Sequence, residues 1–385
     1  MIELVIRNIS NRKMRTFLTL LGIIIGISAI ISLVAIADGL QGEANRAFEK
    51  VQRIQVGQKG AWLPLFSKVP VSYVGGIEKI QGVKLVSPRI EYTPNKIDGK
   101  EVSGGLSLTT ASLFPPTVIG VDPKKESQST ASTLVKYITN GRFLVDGDRY
   151  SAVIGRPVAD TYRKTVGSKI DIDGVKFKVV GTSEAGSFFL DNNIVVPLDT
   201  IRGISEIGTD EVSGIAVDVG DPSEADSVAT RIELKYPDVD ASTPQETASS
   251  FGTLLSAIRS STFVIASIAA VVGGIGITNS MLMSVMERRR EIGILKAVGW
   301  SNREVIRMFL AESVIVGIMG GIVGISLGLG GVFAVQTLRP DLVLSVSPNL
   351  VAQAFVFALS LGIFGGLYPA WRATQVSPIE ALRYE

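Results

Sequence analysis

The chain has 385 residues, of which 46% are hydrophobic and 19% charged, with a formal net charge of +2 and neither Cys nor His. Charge at this level falls below the ~25% typical of soluble domains, and the missing Cys and His exclude disulfides, thiolate nucleophiles, imidazole acid–base chemistry and nearly all zinc sites. Gly39 to Phe251 hold 24 Lys/Arg and 27 Asp/Glu, a net of −3, whereas the remainder holds 14 and 9, a net of +5. An acidic soluble body outside a membrane, with a basic remainder flanking the inner face, produces this asymmetry. The small overall charge makes no case for nucleic acid, and no nucleic-acid partner is expected.

Residues 1–15, MIELVIRNISNRKMR, place Ile2, Val5, Ile6 and Ile9 at helical spacing, with Arg7, Asn8, Arg12 and Arg15 largely off that stripe. A basic amphipathic helix of this kind lies in the membrane interface; a solvated tail is the alternative. A first span is expected over 16–38, built on the 21 uncharged residues from Phe17 to Ala37. The competing reading, a signal peptide cleaved near Ala35-Ile36-Ala37, requires a shorter apolar core of ~7–15 residues. Gly22 and Gly26 are spaced for close helix packing.

Residues 39–261 read as an α+β domain with a stalk helix at each end, about 39–53 and 244–261. The first stalk, DGLQGEANRAFEKVQRIQV, continues the helical pattern of the span. Continuous helix from Arg15 to Lys50 would reach ~54 Å, well beyond a bilayer core. Between the stalks, short β-like runs occur at Val83–Ser87, Val153–Gly155, Lys169–Ile172, Phe177–Val180 and Ile194–Val196. Asp173-Gly174 is a hairpin signal, while Gly104-Gly105 and Ser127 to Ser132 read as loops. From Ile215 to Val239 the pattern is strand–helix–strand. Thr243-Pro244-Gln245-Glu246 is a capping box with Pro at the first helical position.

A second span is expected over 262–286, where 25 residues carry no charge. It delivers a short charged helix and loop, 287–307, opening with Glu287, Arg288, Arg289, Arg290 and Glu291 and continuing through Ile292, Gly293, Lys296 and Ala297. An ordinary basic anchor is the alternative. Gly299 is a candidate C-cap, and Ser301-Asn302-Arg303-Glu304 is a second capping box. The third span, 308–338, carries Gly317/Gly321, Gly320/Gly324 and Gly324/Gly328 at small-xxx-small spacing, and Gly273 and Gly274 of the second span join this packing set. Glu312 reads as interfacial, not as a proton site. A short outer loop, 339–349, precedes the fourth span, 350–371. Residues 372–385 then form a C-terminal helix with a third capping box, Ser377-Pro378-Ile379-Glu380.

Dense positive charge, including six Lys/Arg between Glu287 and Arg307, marks both termini and the 287–307 segment as cytoplasmic. The expected fold is an α-helical membrane protein with four transmembrane helices plus a large α+β extracytoplasmic domain inserted between helices 1 and 2. There is no G-x-x-x-x-G-K-[ST], no G-x-S-x-G and no H-E-x-x-H. The spans hold no charge at mid-membrane depth, so no ion relay is evident. No catalytic residue and no metal site is expected in this chain.

Four stretches, in order, resemble the MacB/FtsX/LolCE-type permeases of ABC systems: RNISNRKMRTFLTLLGIIIGI; YITNGRFLVDGDRYSAVIG with the later DNNIVVPLDT; GGIGITNSMLMSVMERRREIGILKAVGWSNREVIRMFLAESV; and GLYPAWRATQVSPIEALRYE. The resemblance covers nearly the whole chain, and the last two stretches are specific as a pair. It implies two copies of this subunit in the cell membrane, paired with two copies of a separate P-loop ATPase that binds ATP and magnesium. It also implies that the helix at Glu287–Val298 couples to that ATPase, and that movement reaches the outer domain without substrate passing between the spans (mechanotransmission). The substrate would be hydrophobic, or peptide- or lipoprotein-like. MacB carries its ATPase at its own N-terminus, so this sequence looks more like the split-subunit members, and an adaptor or outer-membrane channel is not assumed. An FtsX-like transmitter acting on an extracellular partner without transport is the alternative; the large outer body favours transport.

Overall fold

The computed structural model describes residues 13–61, 67–102, 115–205, 207–338 and 344–379, with side chains from Leu20 onward. Most of the expected interfacial helix 1–15, the Gly104-Gly105 loop, part of the 339–349 loop and Glu380 of the third capping box lie outside these residues. The chain divides into two compact units: Met1–Gln41 with Leu254–Glu385, and Gly42–Thr253.

Helix α1 (Lys13–Phe48) contributes its last residues, from Gly42, to the second unit, the body. The body's strands are β1 (Ile54–Gln58), β2 (Val69–Pro70), β3 (Val83–Tyr92), β4 (Lys96–Ile97), β5 (Lys100–Glu101), β6 (Thr117–Val121) and β7 (Ile138–Gly141). They continue with β8 (Ser151–Gly155), β9 (Lys169–Ile172), β10 (Val175–Ser183), β11 (Asn193–Pro197), β12 (Glu211–Val212), β13 (Gly214–Val219) and β14 (Val239–Ser242). Among the described residues twelve of them form one mixed sheet in the order β14-β1-β13-β3-β6-β11-β8-β10-β9-β4-β5, with β7 beside β10 and with β2 and β12 a separate pair. The β8–β10 and β6–β11 ladders are parallel.

Local chemistry explains much of this sheet. Asp173 (φ 48°) and Gly174 (φ 88°) both take positive φ, as a two-residue type I′ turn requires, and Ile172 pairs with Val175 across it. Helix α3 (Ala225–Lys235) buries Val228, Ala229 and Ile232 on the same core as Ile54, Val86, Ile215 and Val217. A second core gathers Val121, Leu134, Leu144, Val153 and Val195. Strand β11 is buried at every position, as expected of a central strand covered on both faces.

Charge is also buried inside the body. Helix α2 (Pro123–Gln128) carries Glu126, whose carboxylate accepts from Arg53 (2.9 Å), Arg89 (3.0 Å), Ser87 (3.0 Å) and Ser132 (2.6 Å). Arg53 also pairs with Asp218, which accepts from Ser129 at 2.5 Å. Burial alone would raise the Glu126 carboxyl, but the Arg89 and Arg53 guanidinium groups and the Ser132 hydroxyl hold it at about 2.

Three expectations change. The first stalk helix, read as 39–53, ends at Phe48, because Ile54–Gln58 pairs between β13 and β14 and its alternating burial wins over helical continuation. Ser127 is helical, at the end of α2, where Asp122 accepts from Lys124 and Lys125 N–H and starts the helix. The compact body spans Gly42–Thr253, narrower than the 39–261 read from sequence.

In the membrane unit, the helices are α4 (Pro244–Glu287), α5 (Arg289–Ala297), α6 (Asn302–Leu338) and α7 (Pro348–Thr374). Among the described residues, α1 and the three long helices α4, α6 and α7 make four that are long and apolar enough to cross a membrane. Two of the three expected capping boxes form among the described residues: Thr243 N–H donates to Glu246 (2.9 Å) and Ser301 N–H to Glu304 (2.7 Å). Glycines set the packing. A Cβ at Gly317 or Gly321 would meet α7 at Ala358, 2.8 and 2.7 Å away, while one at Gly320, Gly324 or Gly328 would meet Ile23, Ile27 or Ile31 of α1 at 2.8 to 2.9 Å. Helix α6 thus shows one glycine seam to each neighbour. Gly22 lies against Gly273, and Gly26 against Ala269. A Cβ at Gly274 would meet nothing within 4 Å, while its carbonyl oxygen would lie 3.3 Å from a Cβ at Gly365 of α7.

Candidate functional site

The charged segment after the second span forms a seated helix. Helix α4 stops at Glu287 because Arg288 leaves helical geometry (φ −102°, ψ 19°), and α5 restarts at Arg289. The Arg288 guanidinium spans three partners: Glu291 (2.9 Å), Glu312 of α6 (3.3 Å) and the Phe309 ring, 5.7 Å from its centroid. Glu312 is only 7% exposed. A carboxylate so enclosed is expensive without a cation, and Arg288 supplies it. Sequence reasoning placed Glu312 at the interface but missed this partner; the lone carboxylate of an apolar run close to a basic cluster was the available signal.

The far end of α5 is held differently. Lys296 Nζ donates to the carbonyls of Thr374 (2.7 Å) and Val376 (3.1 Å), where α7 ends. The last carbonyls of a helix lack intrahelical donors and carry partial negative charge, so an ammonium there satisfies both deficits. The segment then closes in a Schellman motif: Trp300 N–H bonds Leu295 O (3.0 Å), Gly299 N–H bonds Lys296 O (3.1 Å), and Gly299 takes φ 106°. Ser301 caps α6 immediately afterwards.

These contacts sort the sequence-selected residues onto two faces. Arg288, Ile292, Gly293 and Lys296 form the seat, with Ile292 and Gly293 buried. Glu287, Arg289, Arg290, Glu291 and Ala297 point outward. Two apolar side chains join that outward face and were not singled out from sequence: Ile294 at 45% exposure and Val298 at 78%. The outward face therefore mixes two arginines and two glutamates with the exposed apolar side chains Ile294 and Val298, on a helix held at both ends. It brings together no nucleophile and no acid–base pair.

A second constellation lies in the body, where both chain connections to the spans enter it. The segment Ala185–Asp191, a turn leading into one helical turn at Phe188–Asp191, wraps the end of α1: Phe188 N–H donates to Glu43 (2.8 Å), Ser187 Oγ donates to the Glu43 carbonyl (3.2 Å), and Lys50 Nζ donates to the Ala185 carbonyl. Asp191 holds the segment's shape by accepting from the N–H groups of Ala185, Gly186 and Ser187 (2.5, 2.8 and 3.1 Å), and burial pushes its carboxyl up. Phe251, at the start of α4, sits edge-on to Phe48 (6.1 Å) and Phe189 (5.5 Å). Sequence reasoning did not find this clamp, since it joins residues 43–50 to residues 185–188 more than 130 positions away, and both to Phe251.

Comparison with known proteins matches both parts of the chain. A family model described as MacB-like periplasmic core domain covers residues 16–235, and one described as FtsX-like permease C-terminal covers residues 263–378. The macrolide export ATP-binding/permease protein MacB of Bdellovibrio bacteriovorus is 33% identical over 98% of this chain; the chain spans 61% of that relative's length. An uncharacterized ABC transporter permease of Bacillus subtilis, YvrN, is 30% identical over all of this chain and 99% of its own. A second uncharacterized ABC transporter permease, MJ1507 of Methanocaldococcus jannaschii, is 29% identical over 98% and 96% respectively.

Proposed function

The chain belongs to the MacB/FtsX-type family of ABC transporter permeases, and from that premise we propose that it is the non-catalytic membrane subunit of a mechanotransmitting export or release machine. Two copies pair with two copies of a P-loop ATPase on a separate chain, which binds the ATP and magnesium. Both termini and α5 face the cytoplasm, in keeping with the basic 287–307 segment. The ATPase grips the outward face of α5, and its closure moves α4 and α1, whose far ends enter the body beside the 185–191 clamp. The substrate is hydrophobic or peptide- or lipoprotein-like, a class that includes the cargo named for the MacB relative.

The observation that carries this reading is the mount of α5. A face of mixed charge with exposed apolar Ile294 and Val298 is fixed at one end through Arg288–Glu312 and at the other through Lys296. A helix that only anchored a span would need no such fixing, whereas one that receives force must not swing loose from the bundle.

The test is a mild-detergent pull-down of the full chain from native membranes. A Walker-A ATPase recovered in about equal amount, and lost when Arg289→Glu and Arg290→Glu are combined, is the expected result. Recovery of no ATPase overturns the assignment.

A further inference from the structure

Within the membrane unit, α1, α4 and α7 enclose a cavity of about 580 Å³ that the coupling role does not use. Its size falls in the range of small-molecule and lipid-chain sites. Each wall is graded in the same direction. The polar end holds Asp38 on α1, Arg259 on α4 and Gln353 on α7; the apolar end holds Ile30, Ala266 and Phe357. Asp38 and Ile30 are eight residues apart on one helical face, so the cavity runs roughly 12 Å along the helix axis. Its polar end lies on the side where the chain leaves for the body and returns from it, which on the orientation proposed above is the extracytoplasmic leaflet. Phe263, 70% exposed, stands at its opening between helices.

The polar end carries one charge of each sign, Asp38 and Arg259, in contact at 2.5 Å with the arginine side chain nearly half exposed. An exposed pair of this kind is held weakly and can open around a guest. An anionic head there would face Asp38, and a cationic head would face Arg259. A head carrying both charges keeps both counter-charges. We propose that this cavity holds one acyl chain of a zwitterionic phospholipid of the extracytoplasmic leaflet, with its phosphate beside Arg259 and its ammonium beside Asp38.

The full chain is reconstituted in vesicles of equal parts phosphatidylethanolamine and phosphatidylglycerol. These carry a trace of either lipid bearing a diazirine in its acyl chain, and photolabelled peptides are mapped by mass spectrometry. The ethanolamine probe should label the stretches 259–266 and 353–357 more than the glycerol probe by roughly fivefold, the ratio one exposed ion-pair interaction supports. Asp38→Asn, which leaves Arg259 unopposed, should reverse that preference. Gln353→Trp, at an exposed position on the wall, should fill the cavity and abolish labelling there while leaving labels at lipid-facing Val271 and Ile275 unchanged. Equal labelling by the two probes, labelling of 259–266 no greater than that of 271–275, or indifference to both substitutions would each overturn the proposal.

Discussion

The body and the membrane unit are both tightly packed, but different forces hold them. The body buries an apolar core of Ile, Val and Phe side chains and encloses a neutral knot of Arg53, Arg89, Glu126 and Asp218. The membrane unit keeps its charged side chains toward the helix ends and brings helices together through glycine, with Gly317 and Gly321 against Ala358 and Gly320, Gly324 and Gly328 against isoleucines of α1. In water, burial of apolar surface drives packing, and a few charges can be enclosed if paired. In lipid that drive is absent, so close backbone approach must supply the attraction. The same substitution should therefore act very differently in the two units.

The sharpest contrast comes from Glu126. Glu126→Ala strands Arg53 and Arg89 and should cost about 3–5 kcal/mol, read as a lowered midpoint for proteolysis of the body in the full chain. The folded carboxyl sits at about 2, below the ~4.3 of an unfolded Glu, so between these values the unfolded chain binds more protons. Stability from this group is complete above pH ~4.5 and is lost as pH falls toward 2. Denaturant melts across that window should show the loss, and Glu126→Gln should remove this group's share of it.

Gly321→Leu in the membrane unit should cost about 1–3 kcal/mol or more, because a Cβ already meets that of Ala358 at 2.7 Å. Gly274→Leu, where a Cβ would meet nothing within 4 Å, should change the stability read from detergent melts by no more than ~0.5 kcal/mol. Equal effects would break the glycine-seam account.

At the mount of α5, Lys296→Met should uncage the α7 carbonyls at a cost of about 1–3 kcal/mol. ATP hydrolysis by the assembled complex should continue while its stimulation of export falls, which separates a positioning role from general unfolding. A modest effect confined to the body is expected at the β9–β10 turn. Gly174→Ala, forced to keep a positive φ, should destabilise the body by about 1 kcal/mol without moving any property of the membrane unit.

Features of short range were legible in the chain itself. Four apolar stretches, the capping boxes at Thr243 and Ser301, the Asp173-Gly174 hairpin and the two-faced helix after Glu287 each depend on residues within a few positions of one another. Hydropathy, helical period and cap chemistry act over such distances. Residues 54–56 show where this stops: the helical pattern was read through Val56, and pairing to β13 and β14, some 160 to 190 residues away, made them part of a strand. Glu126 with Arg53, Glu43 with Phe188, Lys296 with Val376 and the cavity between α1, α4 and α7 were likewise decided only when the chain folded. Each joins groups whose spacing in sequence carries no period, so only tertiary packing, which buries a charge or a carbonyl and then demands its partner, brings them together.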